Sequence, residues 1–109
     1  MSKNLTVSSL GFEAVCLPDG DRTVDGVYVG DLLSWVMGRA QADNAWITIM
    51  SNNNVLAVAS LADVACVILA EGVTLDESTL ALAREKNINV LKSDKPIYET
   101  AVELYELLK

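Results

Sequence analysis

The residues Val64-Ala65-Cys66-Val67-Ile68-Leu69 form an unbroken apolar run between Asp63 and Ala70-Glu71. A strand with one face in water alternates apolar and polar side chains, whereas an unbroken run needs cover on both faces. The flanking segments supply that cover, because their apolar residues recur at helical spacing. Strands therefore alternate with helices, the pattern of parallel strands joined by right-handed crossovers.

The alternation can be followed along the chain. Gly26-Val27-Tyr28-Val29 reads as a strand. Gly30-Asp31 then opens a helix over residues 31–41, with Asp31 as its N-cap. Leu33, Val36, Met37 and Ala40 form a stripe on it, and Leu32 and Trp35 widen the stripe beyond one face. Such a helix is expected to be covered on two sides, by the sheet and by another helix or a second copy. Residues 45–50 read as a strand and residues 53–61 as a short helix, although Val55-Leu56-Ala57-Val58-Ala59 also suits a strand by propensity. After the strand at 64–69, Thr74-x-x-Glu77 reads as a capping box for a helix with Leu80, Leu82 and Ala83 inward, stopped by Asn87. Residues 88–91 read as a strand. Pro96 sits in the first turn of a last helix with Ala101, Leu104, Tyr105 and Leu108 inward.

The N-terminal part reads as strands at residues 5–7 and 13–17 with a turn at Pro18-Asp19-Gly20-Asp21. It would add edge strands, antiparallel to the rest. At 109 residues, the expectation is one domain spanning residues 1–109, a three-layer α/β/α fold with a mostly parallel sheet.

Composition narrows the function. The net charge of -7 and the scattered basic residues argue against nucleic acid and against anionic membranes as partners. No apolar stretch reaches membrane-spanning length, and Met1-Ser2-Lys3-Asn4 lacks a signal-peptide pattern, so the cytoplasm is the expected compartment. Cys16 and Cys66 each lie in an apolar run and read as buried free thiols.

The chain has no histidine, which removes the commonest general base and the Ser–His and Cys–His nucleophiles. It has no phosphate loop and no Gly-x-Gly-x-x-Gly, and Asp19, Asp21 and Asp25 read as a solvated acidic turn. An enzyme is not expected, and neither a metal nor a cofactor is implied.

Ligands of open parallel sheets bind outside the carboxyl ends of the strands, where helix N-termini present free N–H groups. The candidate ligand residues are therefore Asp31, then Ser51, Asn52 and Asn53, then Glu71 and Gly72. Helix capping is the alternative role for each. The two carboxylates would repel a phosphate unless a metal or Arg39 intervened. Trp35 and Trp46 both suit a packed core, and one left exposed would anchor a protein contact.

From Gly26 onward the chain resembles the DRTGG domain family. The matching stretches are residues 30–40, from Gly30-Asp31-Leu32 to Gly38-Arg39-Ala40, then residues 64–69, then residues 76–90. The resemblance implies a fold like the N-terminal domain of HPr kinase/phosphorylase. It also implies self-association and a regulatory role, as in accessory domains beside CBS domains in phosphotransacetylases and pyrophosphatases. The family's Gly-Asp-Arg matches Gly30-Asp31-Leu32, so the arginine is replaced. Its Thr-Gly-Gly matches Ala70-Glu71-Gly72, so only the last glycine remains. Asp21-Arg22-Thr23 precedes a different strand and is not the motif.

The expected function is a non-catalytic regulatory or protein-interaction domain acting as a homodimer. The interface would lie on Leu32, Trp35, Val36 and Arg39 of one helix and Val55 and Leu56 of the next. A protein partner in a regulatory complex fits the same reading. The alternative is a sensor of a nucleotide or another small anion at the strand–helix junctions.

Overall fold

The computed structural model describes residues 5–109; Met1-Ser2-Lys3-Asn4, expected to lack a leader pattern, lies outside them. After a 3-10 turn at Val7–Ser9 come β1 (Glu13–Cys16), β2 (Val27–Val29), α1 (Leu33–Arg39), β3 (Ala45–Thr48), α2 (Asn53–Ala62), β4 (Cys66–Leu69), α3 (Glu77–Glu85), β5 (Val90–Lys92) and α4 (Ile97–Leu108). The strands form one sheet in the order β1-β5-β4-β3-β2. β2 to β5 are parallel, with Trp46 beside Val67 and Ile68 beside Leu91. β1 runs antiparallel along the β5 edge with an irregularity between Ala14 and Cys16. The expected mostly parallel sheet with an antiparallel N-terminal edge strand is what forms.

The apolar run of β4 is buried throughout because the sheet is covered on both faces. Val67 and Leu69 join Trp46 and Val90 in a core under α1, α2 and α3, which supply Val36, Val55, Leu56 and Ala83. Cys66 and Ile68 face the other way and meet Ile47, Leu91 and Leu104, with Val7 and Val24 completing that core. Three layers result: α1, α2 and α3 on one side, the sheet, and α4 with the N-terminal segment on the other.

Several local expectations give way. Leu5-Thr6-Val7 is not a strand; Thr6 makes one isolated bridge to Thr23 and the chain turns at once. Ser9 is the cause, since its hydroxyl accepts from the Thr6 N–H (3.0 Å) and donates to the Thr6 carbonyl (2.8 Å). Such local side-chain bonds compete with strand pairing. α1 begins at Leu33, and Asp31 does not cap it. α3 begins at Glu77 with Asp76 as its N-cap, leaving Thr74 exposed ahead of the helix. Asp76 wins because its carboxylate accepts from the Thr79 N–H at 2.8 Å. On α4 the inward stripe is Ile97, Thr100, Ala101, Leu104, Leu107 and Leu108, while Tyr105 faces out.

At the floor of the sheet, before the strands begin, Arg22 holds two loops together. Its guanidinium donates to the Asp43 carboxylate (3.0 and 3.1 Å), to the Asp63 carboxylate (2.9 Å) and to the Asp63 carbonyl. Asp43 and Asp63 both have left-handed backbones, at φ 69° and 58°. Asn89, buried at the start of β5, closes the same end by bonding both the N–H and the carbonyl of Asp19.

Candidate functional site

The upper end of the parallel strands carries four junctions, and each is tied down differently. After β2, the Asp31 carboxylate accepts from the Thr48 hydroxyl at 2.6 Å and from the Ile49 N–H at 2.9 Å. It thus joins the turn before α1 to the end of β3. Gly30 presents its carbonyl to the Trp46 indole N–H at 2.9 Å.

After β3, Asn52 caps α2 by accepting from the Asn54 N–H at 3.0 Å. Asn53 lies one residue on and accepts from the Thr79 hydroxyl of α3 at 2.9 Å. The N-termini of α2 and α3 therefore sit side by side. Between them is an open groove of about 350 Å³ lined by Asn52, Asn53, Asn54, Asp76, Ser78 and Thr79. The Asp76 carboxylate accepts from the Thr79 N–H at 2.8 Å and from the Ser78 hydroxyl at 3.1 Å, and its bonding to Thr79 and Ser78 holds it below the usual carboxylate range. The groove therefore contains a fixed negative charge.

After β4, Glu71 and Gly72 both adopt positive φ, at 63° and 76°. Their N–H groups donate to the Lys95 and Ser93 carbonyls, and the Glu71 carboxylate accepts from Ile97 N–H at the start of α4. Glu71 and Gly72 thus fasten the β4 turn to the β5–α4 turn.

The six candidate ligand residues do not converge. Asn52 and Asn53 line the groove. Ser51 precedes it and is not part of its lining. Asp31 is bonded to the end of β3, and Glu71 and Gly72 to the start of α4. Asp76, Ser78 and Thr79 are groove residues that the sequence reading missed. Their signal was the Asp76-x-x-Thr79 cap, which places polar groups at the next helix start. Among the described residues no three His, Cys, Asp or Glu side chains are grouped to hold a metal ion.

The candidate interface residues also separate. Val36, Val55 and Leu56 are fully buried between α1, α2 and the sheet, so they present no surface to a partner. They close the core instead, because α1 packs on α2 as well as on the sheet. Leu32 and Trp35 are 58% and 53% exposed. The Arg39 guanidinium stacks 3.9 Å from the Trp35 ring centroid. These three follow i, i+3, i+7 spacing along one side of α1. Met37 is exposed on the opposite flank of the buried stripe. The two tryptophans divide as the alternatives allowed: Trp46 is core and Trp35 is surface.

The model of the DRTGG domain matches residues 9–107. The chain belongs to the DRTGG domain family. No curated protein matches it. Among solved structures, the fold of this DRTGG domain is similar to that of the CBS and DRTGG domains of the regulatory region of Clostridium perfringens pyrophosphatase, complexed with the activator diadenosine tetraphosphate. The TM-score is 0.74 at 18% identity, over 91% of this chain and 44% of that one. This DRTGG domain thus spans less than half of that regulatory region.

The residues that the resemblance matches to the family's motif lie as follows. Gly30 and Asp31 are kept and stitch β2 to β3. Leu32 is exposed at the start of α1. Glu71 carries the left-handed backbone that glycine adopts freely. Among the described residues no helix is long and apolar enough to cross a membrane.

Proposed function

We propose that this DRTGG domain is a non-catalytic regulatory module that works as a homodimer through the exposed side of α1. The observation that carries this reading is the Leu32–Trp35–Arg39 row. Tryptophan and arginine are among the residue types most enriched at the hot spots of protein contacts, and here the Arg39 guanidinium stacks on a Trp35 ring that is half in water. Leu32 supports the same reading, since it exchanges a charged family position for an apolar one beside that tryptophan. Membership of a family whose similar structure belongs to a regulatory region supports regulation over catalysis. The chemistry of the upper end agrees: its carboxylates are engaged in holding turns, and the chain offers no histidine to act with them. Sedimentation velocity at tens of micromolar tests the dimer. The wild type is expected to sediment as a dimer and Trp35→Glu as a folded monomer. A wild-type monomer overturns the proposal.

A second reading, sensing of a small ligand, is favoured by the groove between α2 and α3. Its neutral amides and hydroxyls suit a polar ligand, and the ionised Asp76 opposes a phosphate. The groove therefore accepts the uncharged part of a nucleotide more readily than its phosphates. A thermal-shift series with adenosine and adenine nucleotides tests it. Ligand at 100 times Kd adds about 2.7 kcal/mol of stability, so unmoved melting across the series removes this reading.

A further inference from the structure

Helix α4 divides lengthwise into three stripes. The core stripe, with Thr100 and Leu104 at its centre, faces the sheet. A second stripe is aromatic and apolar and lies in water: Tyr98 is 77% exposed, Val102 39% and Tyr105 61%. Their i, i+4, i+7 spacing sets them in one line. Beside that line runs a third, of Glu99, Glu103 and Glu106, all exposed. Glu103 pairs with Lys95 at 3.3 Å and Glu106 with Lys109 at 3.2 Å, near the two ends of the helix. Glu99 has no ion-pair partner among the described residues. The first stripe holds α4 to the sheet, and in the second the Tyr105 ring meets the Lys109 ammonium, 6.0 Å from its centroid.

We infer that this outer face of α4 is a docking surface for a basic amphipathic helix of a partner protein. The charge pattern selects that occupant. A helix laying apolar residues along Tyr98, Val102 and Tyr105 brings one of its flanks against the glutamate row. Lysine or arginine there gains attraction, and acidic residues meet repulsion. A second copy of this chain fits less well. An antiparallel two-fold pairing of α4 with itself would set the glutamate row against its own mate, in a chain of net charge -7. An anionic lipid surface is opposed by the same row. The surface is separate from the proposed dimer contact, since α1 and α4 lie on opposite layers of the sheet.

The test uses the whole 109-residue chain labelled with nitrogen-15. The probe is a synthetic amphipathic helix of about five turns, with leucine on one face and lysine along the flanks; a glutamate-flanked peptide is the control. The lysine peptide is expected to bind saturably and to move amide signals of residues 97–109, leaving α1 unmoved. Tyr98→Ser with Tyr105→Ser, and separately Glu99→Lys, are each expected to weaken it by about tenfold. These positions are exposed, and the amide spectrum of each variant verifies its fold. The inference is overturned by absent saturation, by shifts centred away from α4, by unchanged binding to the double-serine variant, or by equal binding of the glutamate peptide.

Discussion

The Asp31 carboxylate and the Thr48 hydroxyl meet at 2.6 Å, and the same oxygen accepts the Ile49 N–H. One side chain thus fixes where β3 ends and how the chain leaves β2. Asp31→Ala leaves both donors without their acceptor and is expected to cost about 1–3 kcal/mol. Asp31→Asn keeps an acceptor oxygen and is expected to cost less. Urea unfolding of the two variants checks the order.

The two tryptophans are expected to respond oppositely to substitution. Trp46 is fully buried with its indole N–H on the Gly30 carbonyl, so Trp46→Ala should cost about 3–5 kcal/mol. Trp35→Ala should leave stability within about 0.5 kcal/mol, the usual range at the surface, while weakening dimerisation. Thermal melts of dilute protein, paired with light scattering, separate the two effects.

Glu71 combines a strained backbone with a useful carboxylate. Its φ of 63° costs about 1–2 kcal/mol for a residue with a Cβ, and its bond to Ile97 N–H offsets part of that. Glu71→Ala keeps the strain and loses the bond, so it should destabilise by about 1 kcal/mol. Glu71→Gly relieves the strain while losing the same bond and should fall close to the wild type. Denaturant midpoints of the three proteins decide this.

Asp76 gives the α3 cap an acid dependence. Its folded-state pKa is lowered by the bonds from Thr79 and Ser78. Its stabilising contribution is therefore complete above the ordinary aspartate value of about 3.9 and is lost as pH falls through the lower folded value. The stability gap between wild type and Asp76→Ala should stay level at neutral pH and narrow under acid. Denaturation curves from pH 7 downward measure it.

Burial makes both thiols inert in the folded chain. It pushes Cys66 up to about 12 and raises Cys16 as well, against a smaller lowering by Arg84. The thiolate is the reactive form. A disulfide reagent at pH 8 should therefore label neither cysteine in native protein and both in urea.

What the sequence made legible follows from the range of each interaction. The burial of β4 and the order of strands and helices depend on periodicity within a few residues, and these were readable. The role of Asp31 was not, because its partners lie 17 and 18 residues away and a local reading offers it only the nearest helix to cap. Val36 looked like interface because α1 is apolar around so much of its surface, and Val55 and Leu56 because they lie on the helix that follows it. Only the packing of α1 on α2 shows which side is covered. In the groove, Asn52 and Asn53 were visible as a polar run, but their neighbours Asp76 and Thr79 come together with them only when β4 forms.

The floor of the sheet ties together parts of the chain that lie far apart in sequence. Arg22 reaches partners 21 and 41 residues away, and Asn89 reaches Asp19 across 70. A contact that forms only after the sheet has gathered the chain adds to the barrier to unfolding more than to the barrier to folding. Arg22→Ala and Asn89→Ala are accordingly expected to speed unfolding more than they slow refolding, which stopped-flow kinetics in denaturant measures. The guanidinium and the buried amide would then work as latches on opening, at the end of the sheet opposite the groove.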